Sequence, residues 1–289
     1  MYFGLLISNT SFVCGSFRLG AEIAADMGYH FVELGMSLGD QPSEYADLSL
    51  CSLDEVHFIA QDIRATGIEI SAIQCHTGFT GDDDQVAANV DLAKRAIDYA
   101  AEMHAPVVSI IAGPQPTHGD INAAWASAIE ACRDGLEYAD ALPVQVAIHP
   151  AFDQLVCDLN TTQTLLDRTG RDDLGIDFNP SHLLGRRESP LPFVRELADR
   201  IVHVSASDAC VEPMPSHRPD PGAWDMGQGQ QCRLVPPGHG SLDWDAIIAA
   251  LRDSGFEGAL SLELAPAIAD QEQAARDNVR FFRTLLGQI

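Results

Sequence analysis

A strand pattern followed by a helix pattern recurs eight times along the 289 residues, and this alternation constrains the fold more than any other feature. Each short apolar run suits a buried strand, and each longer run has the three-to-four-residue apolar spacing of an amphipathic helix. Strands that alternate with helices pair in parallel, and eight such units over about 250 residues or more close into a (β/α)8 barrel. The predicted strands are 2–7, 31–34, 68–75, 106–111, 144–148, 174–178, 201–204 and 259–264.

The chain between these strands supports the same fold. An open doubly wound sheet is the rival, but it usually has a glycine-rich phosphate loop after its first strand, where Ser8, Asn9 and Thr10 stand here. No linker-like stretch divides the sequence. We therefore predict a single (β/α)8 TIM barrel, one α/β domain over residues 1–289, without a nucleotide cofactor. The predicted helices are 16–27, 53–65, 85–103, 122–139, one from about 161, 191–199, 244–254 and 270–286.

Charge and cysteine content restrict the partners. The net charge of −25, from 42 acidic and 17 basic residues, opposes approach to nucleic acid or to an anionic membrane. The seven cysteines are scattered without a CxxC pair, which argues against a disulfide framework or a zinc ribbon. No apolar run approaches the roughly 20 residues of a membrane span, and no charged leader precedes an apolar stretch. We expect a cytoplasmic protein, with homo-oligomer formation left open.

Polar side chains collect where the predicted strands end. In DLGIDFNPSHLLG, residues 173–185, Pro180 must end the sixth strand, and Asp177 and Asn179 share a face because they are two residues apart. The carboxyl ends of the strands form the active-site rim in a barrel of this kind. The side chains at these ends are Gln74, His76, His149, Asn179, His182, Ser205, Asp208 and Glu263.

Glu263, His149 and His76 are the predicted catalytic residues. A lone carboxylate that ends an apolar strand is costly to bury without a partner or a role, so Glu263 is the candidate base. His149 is predicted to be its acid/base partner or a metal ligand, because its ring titrates near neutrality. His76 is predicted to orient a substrate hydroxyl. A carboxylate paired to a barrel histidine, and a histidine with satisfied hydrogen bonds, are the structural alternatives. The predicted substrate contacts at the strand ends are Gln74, Asn179, Ser205 and Asp208.

Residues 209–239 show no clear periodicity. A stretch of that length without secondary structure is usually a lid or disordered. Trp224, Arg233 and His239 make this stretch amphipathic and partly basic within an acidic protein. We predict a lid-like loop at about 209–240 over the barrel mouth, with Arg233 and His239 as substrate contacts; a merely solvated loop is the alternative.

Five segments resemble the xylose-isomerase-like barrels, a family of sugar and sugar-phosphate isomerases and epimerases, inosose and dehydroshikimate dehydratases, and endonuclease IV. The resemblance extends over essentially the whole chain. NPSHL stands where the family commonly has Asp-Pro-x-His, and IVHVSASDA where it commonly has His-x-His-x-Lys-Asp. The other matching segments are IEISAIQCHTGF, PPGHGSLDW and GALSLEL.

The resemblance implies a divalent metal, but the implied ligands are altered. Epimerase-type members hold one ion with Glu, Asp, His and Glu, and these positions fall on His149, Asn179, Ser205 and Glu263 here. Only Glu263 keeps the usual residue type. His182 could join His149 and Glu263 in a site for Zn, Mn, Fe or Mg. Alternatively, Asp177 and His203 could bind an ion one layer deeper, or the cluster could be hydrogen-bonded without an ion.

The resemblance also implies the chemistry. The leading hypothesis is an isomerase or epimerase that moves a proton next to a carbonyl on a sugar, keto-sugar or polyol. A dehydratase or other lyase on such a substrate is the alternative. A non-catalytic sugar-binding protein, or a subunit of a larger complex, is the second alternative. Endonuclease activity is excluded, because its trinuclear zinc site needs more ligands than this chain retains and the charge of −25 repels a phosphate backbone.

Overall fold

In the computed structural model, which describes residues 1–8, 10–37, 46–215 and 223–288, parallel strands form a closed barrel. The hydrogen-bonded order around the barrel is β1-β11-β7-β6-β5-β4-β3-β2. The predicted (β/α)8 fold is therefore confirmed. The barrel strands are β1 (Tyr2–Leu6), β2 (Phe31–Ser37), β3 (Glu69–His76), β4 (Val107–Ile110), β5 (Gln145–Ile148), β6 (Gly175–Phe178), β7 (Ile201–Ala206) and β11 (Ala259–Leu262).

Helices pack around the outside of the barrel, and capping residues set where they begin. Ser52 and Glu55 form a reciprocal capping box that starts the second helix at its predicted residue. Asp158 caps the fifth helix, which therefore begins before the predicted 161. The helices are α1 (Phe17–Met27), α2 (Leu53–Ala65), α3 (Asp83–Met103), α4 (Ile121–Ala139), α5 (Leu159–Thr169), α6 (Pro180–Gly185), α7 (Pro190–Leu197), α8 (Trp244–Asp253) and α9 (Gln271–Leu286).

The short helix α6 has no counterpart in the predicted elements. Asn179 caps it by accepting a hydrogen bond from the Ser181 N–H, and Pro180 occupies the first helical position. Proline suits that position because its missing N–H would have no partner inside the helix. The strand end and the helix start thus meet at Asn179, which places its side chain at the barrel mouth.

The segment predicted to be a loop contains an antiparallel sheet. Strands β8 (Asp208–Pro213), β9 (Ala223–Gly227) and β10 (Gln230–Val235) pair in the order β8-β10-β9. These strands have five or six residues each, and their burial does not follow a clear two-residue alternation, so the sequence contained little sign of them. Residues 216–222, which the predicted lid includes, lie outside the described part, and a lid function stays a prediction.

A large apolar core lies between the barrel and its helices. Phe3, Phe178, Phe193 and Phe282 are among its fully buried side chains, and the Phe178 and Phe193 rings stack with centroids 5.2 Å apart. Among the described helices, none is long and apolar enough to span a membrane. The rigid barrel thus fixes the strand ends that hold the polar side chains.

Candidate active site

The predicted site residues of strands β3, β5, β6, β7 and β11 lie at the carboxyl end of the barrel. His149 directly follows β5, Asn179 follows β6, and Glu263 follows β11. The rings of His149 and His182 lie edge to face, with centroids 5.3 Å apart. The structure therefore brings His149, Asn179, His182 and Glu263 together.

Asp177 is the centre of a buried network. Its side chain has no exposure and accepts hydrogen bonds from the Nδ1 atoms of His149 and His203, each at 2.9 Å. The hydroxyls of Ser109 and Ser205 donate to it as well, at 2.7 Å and at 3.0 and 3.1 Å. Burial alone would raise the carboxyl pKa, but attraction to the two imidazoles holds the pKa of Asp177 well below its ordinary value. Asp177 is therefore an anion.

The pKa values of His149 and Glu263 are both raised from their ordinary values, for different reasons. Burial lowers the pKa of His149, but attraction to Asp177 outweighs it, and the net pKa is raised. Burial raises the pKa of Glu263, partly offset by the nearby His149. A carboxylate of raised pKa is a stronger base than an exposed one, and an imidazole of raised pKa holds its proton near neutral pH.

Asn179 holds Glu263 in place. Its Nδ2 donates to Glu263 Oε2 at 3.0 Å. Its Oδ1 accepts from the Ser181 N–H at 3.1 Å and from the hydroxyls of Ser181 and Ser207 at 2.8 and 3.0 Å. Because a backbone N–H can only donate, the amide oxygen must face Ser181 and the amide nitrogen must face Glu263. Asn179 is thus a donor toward the site.

His182 is neutral and fixed in one tautomer. Its Nδ1 accepts a hydrogen bond from the backbone N–H of Phe152 at 2.9 Å, so the ring hydrogen resides on Nε2. Burial and the neighbouring His149 lower the pKa of His182 well below its ordinary value. Trp224 of β9 stacks on the ring with centroids 4.7 Å apart. In this tautomer neither ring nitrogen offers a lone pair to an ion, and the arrangement does not favour the predicted metal-ligand role of His182.

A pocket of about 290 Å³ opens beside Glu263 and His76, lined also by Leu6, Gly35, Met36 and Gln74. His76 and Gln74 are hydrogen-bonded to each other at 2.9 Å between Nε2 and Oε1. Desolvation in the pocket and the neighbouring His149 lower the pKa of His76, although its ring still reaches solvent. The pocket walls combine apolar surface with a few polar groups, as small-molecule sites do.

Asp208 has a different role from the predicted substrate contact. Its fully buried carboxylate accepts hydrogen bonds from five N–H groups, each between 2.8 and 3.2 Å away. With both oxygens used, Asp208 fixes the turn that precedes α8 and has no group left for a substrate. The five donors are the backbone N–H groups of Ala209, Gly238, Gly240 and Leu242 and the indole Nε1 of Trp244.

Arg233 and His239 lie on or beside the inserted sheet. The Nε of Arg233 donates to Glu212 Oε1 at 3.1 Å, which links strands β10 and β8. His239 is exposed in the turn after β10. Neither residue lines the pocket at Glu263 and His76. Their predicted substrate contacts stay predictions that depend on how a substrate approaches.

Glu33 is a site residue that was not predicted from the sequence, and it interrupts the apolar strand β2, which reads FVELGMS. Its side chain has no exposure, and neither carboxylate oxygen has a hydrogen-bond partner within the described ranges. Burial raises the pKa of Glu33 to about 7, with His203 opposing the shift. A single carboxylate inside an otherwise apolar strand was the signal that could have identified it.

The four positions that usually hold the family's metal do not fit an ion here. Asn179 presents an amide N–H to the site, and the Ser205 hydroxyl donates to Asp177. Only Glu263 and the Nε2 of His149 could ligate from these positions, and two ligands are fewer than the three or four protein ligands that such ions usually have. The side chains at these four positions therefore do not form the family's usual four-ligand site.

A closed barrel of parallel strands with polar side chains at its carboxyl end is the architecture of many enzymes. The chain belongs to the xylose isomerase-like TIM barrel family, whose family model matches residues 21–285. It is 23% identical over 288 residues to fructoselysine 3-epimerase of Shigella flexneri, with 95% of this chain and 96% of that protein covered. The resemblance inferred from the five sequence segments is confirmed.

Solved structures share the fold at lower identity. Apo 3-keto-D-glucoside 4-epimerase from E. coli has a TM-score of 0.76 and 16% identity, with 98% of this chain and 99% of that chain covered. The IOLI protein with a bound zinc atom has the same TM-score and identity, with 100% and 99% covered. Epimerases therefore recur among the relatives, in agreement with the predicted enzyme class.

Proposed function

We propose that the protein is an epimerase or isomerase of a sugar or keto-sugar that moves a proton at the carbon next to a carbonyl. The observation that carries this proposal is the proximity of Glu263, a half-buried carboxylate of raised pKa that lines the pocket, to His149, a buried imidazole outside the pocket lining that binds Asp177 through Nδ1. Epimerisation needs a base and an acid in the same site. The curated relative, an epimerase similar over 95% of this chain, supports the same reaction class.

Glu263 is the proposed base. Asn179 holds Oε2, which fixes the carboxylate plane and leaves Oε1 for the substrate C–H. Because burial raises the pKa of this carboxyl, the proton transfer from carbon is less unfavourable than it would be to an exposed glutamate. The proton moves from the substrate carbon to Glu263, and the C–H electron pair goes into the enolate formed with the neighbouring carbonyl.

His149 is the proposed acid. Asp177 binds Nδ1, so the proton that His149 can give away is on Nε2. Delivery of that proton to the opposite face of the carbon would invert its configuration. Delivery to the carbonyl oxygen would give an enediol, and isomerisation is completed when the neighbouring hydroxyl loses its proton, a new carbonyl forms there, and Glu263 returns its proton to the carbon of the former carbonyl. His76, with Gln74 beside it, is suited to accept from or donate to a substrate hydroxyl in the pocket. These steps use only side chains of this chain.

The test is exchange of carbon-bound hydrogen with heavy water. The protein is incubated in D2O with a panel of ketoses, 3-keto-glucosides and fructosamine-type sugars, and deuterium next to the carbonyl is followed by NMR. We expect deuterium uptake and an epimeric or isomeric product with at least one sugar. A dehydrated product would instead support the lyase alternative. Exchange that continues unchanged in Glu263→Gln would refute the role of Glu263.

A further inference from the structure

Three side chains with metal-ligating atoms meet inside the barrel, below the mouth. Glu33 comes from β2, Asp177 from β6 and His203 from β7, and one ligating atom from each lies within 4.8 Å of the others. None of the three side chains is more than 1% exposed. Strands on different sides of the barrel thus place two carboxylates and one imidazole around one buried point.

Several polar atoms at this point lack partners. Both oxygens of Glu33, the Nε2 of His203 and the hydroxyl of Ser261 are buried and have no hydrogen-bond partner in the part of the chain that the structure describes. Buried polar atoms are nearly always paired, and a buried carboxylate without any donor is especially costly. A cluster of such atoms therefore needs an additional group to satisfy it.

We propose that Glu33, Asp177 and His203 form a divalent metal site one layer below the barrel mouth. Two carboxylates balance the charge of a divalent ion, and the oxygen and nitrogen donors suit Zn²⁺, Mn²⁺ or Fe²⁺. Nδ1 is the ring nitrogen of His203 that would ligate beside Asp177, because it lies 2.9 Å from Asp177 Oδ1, and the ion would take the place of the hydrogen that joins the two residues. The other oxygen of Asp177, Oδ2, would keep its hydrogen bonds from Ser109 and His149, which hold the ligating carboxylate in place.

The hydrogen bonds favour this position over the mouth. At the mouth, the side chains of Asn179 and Ser205 face neighbouring acceptors as donors. In the deeper layer, neither oxygen of Glu33 has a hydrogen bond of ordinary geometry within the described residues, although the Ser261 hydroxyl lies close enough to lower the pKa of Glu33. The inference goes beyond the proposed reaction, since an ion here would stabilise the barrel interior and Asp177 whether or not Glu263 transfers a proton.

The test measures metal binding by the full chain. Protein is stripped with a chelator and titrated with Zn²⁺ or Mn²⁺ alone, and bound metal per chain is measured by mass spectrometry of the dialysed protein. We expect about one ion per chain and a higher melting temperature on binding. Glu33→Gln and His203→Gln should each weaken binding by on the order of 100-fold or more, because each removes a ligand. Glu263→Gln, the same substitution at the mouth, should keep the affinity.

Three results would overturn the inference. These are a wild-type protein that binds neither metal, undiminished affinity in Glu33→Gln, and loss of affinity in Glu263→Gln. Circular dichroism of each variant separates lost ligation from lost folding, and the two deep-layer variants provide independent tests if one of them misfolds. A sugar assay that fails while metal binding follows this pattern would count against the proposed reaction alone. A wild-type protein that is active on a sugar and binds neither metal in the titration would count against the metal site alone.

Discussion

Replacing Asp177 with Asn should destabilise the protein through the loss of one buried charge. The carboxylate accepts from His149, His203, Ser109 and Ser205 with no solvent exposure. Asparagine keeps the volume but has no charge, and its amide nitrogen is a donor where the carboxylate only accepts. At least one of the present donors must then lose its acceptor, and both imidazoles lose their anion.

The expected loss is about 3–5 kcal/mol of unfolding free energy, the range for removing one partner of a buried ion pair. Neither imidazole is more than 3% exposed, so solvent screening does little to reduce the effect. For a chain of this size, about 2 °C of melting temperature corresponds to each kcal/mol. We therefore expect Asp177→Asn to melt about 6–10 °C below the wild type.

The loss of unfolding free energy in Asp177→Asn should depend on pH in a defined direction. The pKa of His203 is raised to about 9 in the fold, because Glu33 and Asp177 attract its proton more than burial opposes it. A raised histidine pKa contributes stability that is complete below the unfolded value of about 6.5 and is lost as pH rises toward 9. Wild-type stability should fall between those values, and Asp177→Asn should show a smaller fall.

The assay is urea denaturation of metal-stripped protein at several pH values between 6 and 9. Asp208→Asn is the matched control, because Asp208 is equally buried but its five partners are N–H groups rather than histidines. It should destabilise the protein without changing the pH slope. An Asp177→Asn variant with wild-type stability, or with an unchanged slope, would refute the charge argument.

Three further predictions concern the mouth, the inserted sheet and the turn before α8. Glu263→Gln should lower kcat by on the order of 10²-fold or more with little change in KM, because the amide cannot take a proton; steady-state kinetics on an identified sugar tests this. Residues 209–239 should become more resistant to limited proteolysis when a substrate-like sugar binds, and cutting that ignores the sugar would contradict a lid. Gly240→Ala should cost about 1–3 kcal/mol, because its Cβ would lie 2.0 Å from Asp208 Oδ1. Gly135→Ala, with no atom nearby, should be neutral or slightly stabilising in the same denaturation assay.

Periodicity was enough to predict the barrel, because each strand–helix unit is a local pattern and eight of them allow few other arrangements. The predicted strand ends also indicated Glu263 and His149, but the spacing of residues could not show what these side chains contact. That Asn179 donates to Glu263, and that Asp208 serves a turn, depends on hydrogen-bond geometry that spacing does not contain. The inserted sheet was missed because its strands have only weak alternation.

Two of the three ligating side chains of the deeper layer could be predicted from the sequence, and Glu33 could not. Asp177 and His203 were predictable as an alternative ion site because they precede Asn179 and Ser205 by two residues on the same strand faces. Two residues along a strand are about 6.6 Å, which moves a carboxylate and an imidazole from the mouth into the next layer. The third ligating side chain comes from β2, far away in sequence, and only closure of the barrel brings it to the same point. The carboxylate and imidazole ligands expected at the mouth are thus present in this chain, but one layer deeper in the barrel. The metal titration tests whether an ion binds to them there.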